Sequence, residues 1–329
     1  MSNPIVKYLI NNHFLAALIV IALTWLAIEL SNILIIIFIS YIIMAALSPF
    51  SDFLTRKRFP KIFAVLIPYS ITIIIFVMLI FPLVPFFISQ IQLLFSNFPK
   101  YIDQIAKSLS LQIDTANVKN VLESDINALG KNAIDVTGKI FNGVFSILSV
   151  FVISFYLMLE RQALKKQLIA LWSKKDQDGI LGTIAQIENK IGWWLRGQLV
   201  LSFSIGFLTW IGLTIFGLPF ALPLGLLAGL LEIVPTIRPI ISAIPAVIVA
   251  LTISPGFALS IVAFYILVQM LENNILVPKI MQKAVGLNPI VIIIGVLIGS
   301  KFLGIPGALL AVPFISMTLI IFKSFKPSN

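Results

Sequence analysis

The chain has 329 residues, of which 59% are hydrophobic and 11% are charged, and its mean hydropathy is +1.07. Soluble domains are about 45–50% apolar and about 25% charged, so this composition excludes an ordinary soluble protein and indicates a membrane protein. The net charge of +10 comes from basic residues in short segments between apolar runs, which is typical of membrane topology and not of nucleic-acid binding. The absence of cysteine excludes disulfides and thiol catalysis.

Residues 1–85 are predicted to form three transmembrane helices. Apolar runs at about 14–30 and 33–48 indicate a helical hairpin, and a third run at 62–84 follows a basic loop. Residues 86–138 carry balanced charges and apolar residues at helical spacing, so we expect short amphipathic helices on the membrane surface.

Residues 139–160 are apolar and predict a fourth transmembrane helix, and residues 161–198 form a basic amphipathic segment. The apolar stripe of this segment is formed by five residues at three- and four-residue steps: Ile180, Ile184, Ile187, Ile191 and Trp194. We expect Trp194 to lie at the headgroup level, as interfacial tryptophans do. The basic loops should be cytoplasmic, which makes both termini cytoplasmic and residues 86–138 external.

Residues 199–329 are interpreted as a transport core. The run at 221–251 contains several prolines, and the run at 288–322 is too long for one span and contains a Gly-Pro break. Both are therefore predicted to be broken or re-entrant hairpins. The fold class is an all-α polytopic membrane protein with about six full crossings and two such hairpins, and eight plain crossings is the alternative.

The core carries isolated charges in apolar surroundings. Between residues 199 and 278 the charged residues are Glu232, Arg238 and Glu272, and each would cost about 2.5–3.5 kcal/mol near the bilayer centre. Pro235 and Pro239 interrupt the helix, and a broken backbone at membrane depth must be buried in protein or line a wet cavity. We predict that this segment is a hairpin turn beside a polar substrate site. A structural ion pair is the alternative.

A second polar cluster occurs in QMLENNILVPK. Gln269, Glu272 and Asn273 are spaced to share a helical face, with Asn274 next to them, although such a cluster can also simply mark the end of a span. Asn288 and Lys301 complete the candidate solute or ion pathway. Small residues at four-residue steps predict close helix packing: Ala221, Gly225, Gly229, Gly295 and Gly299.

Common catalytic and nucleotide-binding motifs are absent from the sequence. It contains no HExxH, GxSxG, P-loop or GxGxxG pattern, and it has one histidine. We therefore expect no enzymatic activity, no cofactor and no metal site.

Several motifs resemble those of the AI-2E transporters, a family of bacterial multi-pass membrane proteins. They are WLRGQL at 194–199 (Trp194, Arg196, Gly197 and Gln198), GLPFALPLGLLAGLLEIVP, EIVPTIRPIISAIPAVIVAL, and the long ENNILVPK segment that continues through GLNPIVIII to LLAVP. Arg238 stands where the family usually has Gly, and Asn288 where His is common. Either departure could change which solute is moved.

The resemblance implies a homo-oligomeric carrier in the bacterial cytoplasmic membrane. Such carriers export small polar solutes, including autoinducer-2, or exchange sodium or protons. Our leading hypothesis is a secondary transporter in the lipid bilayer that moves a small polar solute or cation, with transport coupled to protons through Glu232 or Glu272. A passive channel is the alternative, and a membrane scaffold or enzyme is a weaker one.

Overall fold

A computed structural model describes residues 17–18, 21–22, 25–26, 29–78, 147–174, 176–232, 238–281 and 288–324, with only the backbone at 238–240 and 289. Within these ranges every regular element is helical. The helices are α1 Ser31–Arg56, α2 Lys61–Met78, α3 Ile147–Leu159, α4 Arg161–Ala170, α5 Gln177–Ile215, α6 Ala221–Leu231, α7 Arg238–Leu251, α8 Pro255–Met281 and α9 Pro289–Ser324. The external segment predicted at 86–138, and most of the predicted span at 14–30, lie outside the described residues.

The helices confirm a polytopic membrane architecture. By length and composition, five of those described, α1, α2, α5, α8 and α9, could cross a bilayer, but α9 is interrupted at Gly304. Helices α3 and α4 together pass the same test but are bent by 67° at residue 160, so they provide a sixth candidate. Large apolar side chains remain exposed along these helices, as expected for surfaces that face lipid or another apolar partner.

The N-terminal helices pack around a small apolar core with buried hydroxyl groups. Met44 of α1, Val65 of α2 and Phe151 of α3 are all buried in one cluster. The Tyr69 hydroxyl of α2 lies 2.6 Å from the Ser154 hydroxyl of α3, so the two polar groups satisfy each other.

Helix α5 is the longest uninterrupted helix described, with 39 residues. It passes through the predicted boundary at residue 198 without a break, so the amphipathic segment and the following span form one rod. Ile187 and Ile191 of the predicted stripe are buried against α1. Trp194 is buried in the same cluster as Ala45 and Met281, and its position at the headgroup level stays a prediction.

Helices α6 and α7 form a short folded-back pair after α5. The turn into α6 uses positive backbone φ angles at Gly217 and Phe220. Leu224, near the start of α6, shares a core cluster with Ala246 and Ala250, near the end of α7, so the two helices are antiparallel. With 11 and 14 residues they rise about 16 and 21 Å, less than the ~30 Å hydrocarbon thickness. The segment is therefore a broken hairpin and not the single plain crossing of the alternative with eight crossings.

Glycines allow α6 to approach α5 closely. A Cβ atom on Gly229 would lie 2.8 Å from the Ser202 carbonyl oxygen, and one on Gly225 would lie 2.8 Å from the Trp210 Cα atom. Real side chains do not tolerate such distances. The predicted role of the glycines in close packing is confirmed.

Helix α9 also folds back on itself. Gly304 has φ 63° and ψ −143°, which interrupts the helix and separates a first arm, residues 289–303, from a second arm, residues 305–324. Gly299 of the first arm faces the backbone of Gly307 in the second, and Gly295 faces Ile315. These contacts are possible only in an antiparallel hairpin, as predicted from the Gly-Pro break.

The hairpin contact can be tested with Gly299→Ala. Because a methyl group at this position would overlap the Gly307 carbonyl, the arms must separate, and we expect a loss of about 1–3 kcal/mol in the free energy of unfolding. The measurement is denaturant titration in mixed micelles, followed by circular dichroism.

Gly182→Ala in α5 is the matched control. No atom lies within 4 Å of a Cβ at this position, so alanine should stabilise the helix by about 0.5–1 kcal/mol. Equal stability of the two variants would contradict the close approach of the two arms.

Candidate functional site

Arg196 of α5 binds the backbone of α1 where a proline interrupts its hydrogen bonds. Pro49 has no N–H, so the Ala45 carbonyl loses its usual partner four residues later. The Ser48 hydroxyl donates to this carbonyl at 3.0 Å. The Arg196 guanidinium donates to the Ala46 carbonyl at 2.7 Å and approaches that of Ala45 at 3.4 Å. The arginine thus compensates for the polar backbone groups that the proline leaves exposed.

The next two residues of α5 contact two other helices. Gly197 packs against the Met281 side chain at the end of α8, where an added Cβ would lie 2.8 Å from the sulfur and displace it. The Gln198 side-chain amide donates to the Glu232 backbone carbonyl at 2.8 Å, at the end of α6. Helix-terminal carbonyls lack intrahelical partners, and this bond satisfies one of them. Arg196, Gly197 and Gln198 therefore join α1, α8 and α6 to α5.

Two buried carboxylates lie on the segments that meet at this junction. They belong to Glu232, which directly follows α6, and to Glu272 of α8. Glu232 follows Ala228 by four residues and Glu272 follows Val268 by four, so each shares a helical face with the earlier residue. Ala228 and Val268 belong to the cluster around Leu201 of α5. Both carboxylates are thus on helix faces turned towards α5.

Glu272 also begins an irregular turn. Residues Glu272–Leu276 form a π-helix, and the Val277 N–H bonds back to the Glu272 carbonyl, just before Pro278. Single π-turns inside α-helices are frequent at functional sites because they redirect side chains and free backbone groups.

The polar residues around this turn are arranged partly as predicted. The Gln269 amide donates to the Asn273 side-chain oxygen at 3.2 Å, so these two share a face. The Asn274 amide donates to the Met270 carbonyl at 2.9 Å. Asn273 and Asn274 are exposed, whereas Glu272 is turned into the protein. The cluster consequently has a buried acidic side and an exposed amide side.

The remaining predicted residues have different positions. The Asn288 side chain accepts a hydrogen bond of 2.9 Å from the Ile290 N–H, so it caps the start of α9. Lys301 is exposed on the first arm of α9. Arg238 and Pro239 begin α7, where only the backbone is described, and Pro235 lies outside the described residues.

A buried ionic cluster was missed by the sequence analysis. Glu188 of α5 is only 4% exposed and accepts hydrogen bonds from Arg161 at 2.6 Å and Lys165 at 2.7 Å, both on α4. Arg161 also binds Asp52 of α1 at 3.1 Å. The cluster therefore links α1, α4 and α5 where α4 bends away from α3. The available signal was the position of Glu188 on the apolar stripe, four residues after Ile184.

The comparison with known families agrees with this architecture. The sequence model of one protein family, described as AI-2E family transporter, matches residues 14–326, which is nearly the whole chain. The chain belongs to the AI-2E transporter family. Its relatives are named as transport proteins, so the general class is that of a membrane transporter.

Two relatives match this AI-2E transporter over most of both chains. YrrI of Bacillus subtilis (strain 168), named for a transport role, is 28% identical over 304 residues, which cover 88% of this chain and 85% of YrrI. The AI-2 transport protein TqsA of Escherichia coli (strain K12) is 27% identical over 289 residues, covering 85% and 81% respectively. PerM of the same strain, named as a permease, is 36% identical over 142 residues, covering 42% and 40%.

The ionic cluster of this AI-2E transporter can be tested with Glu188→Gln. The change leaves two partly buried cations without their shared carboxylate, so we expect a loss of about 3 kcal/mol in the free energy of unfolding.

Asp52→Asn is the matched control, because Asp52 is 52% exposed and its pair with Arg161 should contribute about 0–1 kcal/mol. Both values come from chemical denaturation in detergent. A loss for Asp52→Asn as large as that for Glu188→Gln would contradict the central role of Glu188.

Proposed function

We propose that this protein is a secondary transporter that exports a small polar solute across the bacterial cytoplasmic membrane, coupled to sodium or proton exchange. The observation that carries the proposal is the pair of buried carboxylates, Glu232 and Glu272, at two helix interruptions that face α5. One lies where α6 ends and the other where α8 forms its π-turn.

Polar groups are costly to place in an apolar core. Carboxylates and freed carbonyls are retained at membrane depth where they contact protein, ions or water, and carriers place solute sites at such interrupted helices. A carboxylate can bind either a proton or a metal cation through its oxygens, so both coupling ions are compatible with Glu232 and Glu272.

The name of one relative indicates which solute to test first. TqsA is named as an AI-2 transport protein, and it resembles this chain over most of its length. We therefore propose an autoinducer-2-like solute. Arg238 and Asn288 differ from the motif pattern described above and are the first positions to examine if another solute is preferred.

The role of the carboxylates can be tested with Glu232→Gln and Glu272→Gln in proteoliposomes loaded with autoinducer-2. Loss of a charge-assisted contact of about 1.5–3 kcal/mol should slow efflux about 10-fold or more. Efflux is measured with an imposed proton gradient and, separately, with an imposed sodium gradient.

Glu160→Gln is the control for these variants, because Glu160 is exposed at the α3–α4 bend and efflux should be unchanged. Normal efflux by both buried-site variants, with unchanged thermal unfolding, would remove these carboxylates from the pathway.

A passive channel is the alternative function, and kinetics separate the two. A carrier saturates with solute concentration and shows counterflow, because its site must reorient between the two sides. A flux that rises linearly with concentration and shows no counterflow would favour the channel.

The proposed orientation places both termini and residues 161–198 in the cytoplasm and residues 86–138 outside. Because the chain has no cysteine, single cysteines can be introduced without a prior cysteine-free background. In intact spheroplasts, a membrane-impermeant maleimide should label Ser108→Cys and should leave Lys57→Cys unlabelled until the cells are opened. The reverse labelling pattern would invert the topology.

A further inference from the structure

A large apolar cavity lies apart from the carboxylates. Its volume is about 1200 Å³, it is partly open, and it is lined by α1, α4, α5 and both arms of α9, together with Leu157 of α3. Small-molecule sites are commonly about 300–1,000 Å³ and combine apolar walls with several polar groups. This cavity is larger and its walls are almost entirely apolar, with Leu34 and Phe38 on α1 and Phe302 and Phe314 on α9. These walls do not suit a small polar solute.

The cavity has a charged region at one part of its wall. Among the described residues that line it, the charged ones are Arg161, Lys165 and Glu188, so two cations face one carboxylate. Asp52, which also binds Arg161, is not among the lining residues. The two cations and the two carboxylates bonded to them balance in charge, and Glu188 is the carboxylate of the cluster that faces the cavity.

Lys165 retains capacity to bind an anion. An ammonium group has three N–H donors, and one hydrogen bond, to Glu188, is described for it. The side chains of Arg161 and Lys165 remain 21% and 22% exposed, so an anionic group can approach both. Glu188 and Asp52 hold the two cations in place, and Lys165 keeps donors that neither carboxylate uses in a described hydrogen bond.

The cavity thus combines long apolar walls with a partly exposed lysine that has unused N–H donors, which is the complement of an amphiphile with an anionic headgroup. Helix α4 bends 67° away from α3, in a segment whose basic residues predict a cytoplasmic location. Anionic headgroups are enriched at the cytoplasmic surface, and basic pockets between membrane helices bind them.

We propose that this cavity is a binding site for an anionic phospholipid, with its headgroup phosphate at Lys165 and Arg161 and its acyl chains along α1 and the α9 hairpin. The bound lipid would fill the space between α1 and α9 and hold both against α4. The proposal does not depend on the identity of the transported solute.

The test is native mass spectrometry of the full chain, purified in detergent and titrated with phosphatidylglycerol or phosphatidylcholine. We expect phosphatidylglycerol to bind more tightly than phosphatidylcholine. Lys165→Gln should weaken phosphatidylglycerol about fivefold or more, because one cationic contact to an anionic headgroup is lost. Lys166→Gln is the matched control, since this neighbouring lysine is exposed and does not line the cavity, and it should change binding by less than about twofold.

A second pair of variants tests the apolar part independently of the ionic cluster. Leu34→Trp adds volume to a lining residue and should reduce binding of phosphatidylglycerol, whereas Ile33→Trp, on an exposed position outside the lining, should not. Thermal unfolding of each variant checks that the helices remain folded.

The proposal would be overturned by equal affinity for phosphatidylglycerol and phosphatidylcholine. It would also be overturned if Lys165→Gln and Lys166→Gln weakened the binding of phosphatidylglycerol equally, or if a folded Leu34→Trp protein bound this lipid as the unaltered chain does. A dimer that binds no lipid and dissociates with Leu34→Trp would instead assign the cavity to a second copy of this chain.

Discussion

The structure depends on one constraint: polar backbone groups freed by helix interruptions must find partners inside an apolar protein. Pro49 removes a donor from α1, α6 ends beside α5, and α8 widens before Pro278. Arg196 and Gln198 supply donors at the first two of these places, and both belong to the continuous helix α5. A regular helix therefore provides the hydrogen bonds that its interrupted neighbours lack.

Close backbone packing makes this arrangement possible. Glycines bring α6 to within contact distance of the α5 backbone, and Gly299 and Gly307 do the same for the two arms of α9. In an apolar environment, dispersion contacts between closely packed helices replace much of the hydrophobic driving force that operates in water. These glycine-lined contact surfaces would let the short hairpins move against α5 without losing contact. The proposed transport cycle requires such movement.

Helix α5 also separates two sites of opposite chemistry. Glu188 lies at the apolar cavity, and Gln198 lies at the junction beside the buried carboxylates. Gln198 follows Glu188 by ten positions, which correspond to about 15 Å along the helix axis. The polar solute pathway that we propose and the proposed lipid site therefore lie along different parts of helix α5. A lipid held by α4 and α9 would support α5 along its N-terminal part.

The sequence by itself determined the membrane class, most of the described helices, the two hairpins and the isolated charges, because hydropathy, run length and proline or glycine breaks are local properties. It could not show that α5 continues through residue 198, that Trp194 is buried, or that Asn288 caps α9. The tertiary structure alone decided the partners of Arg196, Gln198 and Glu188, because each bond joins residues far apart in the chain. A single sequence records which groups need partners, and only the folded chain shows which groups meet.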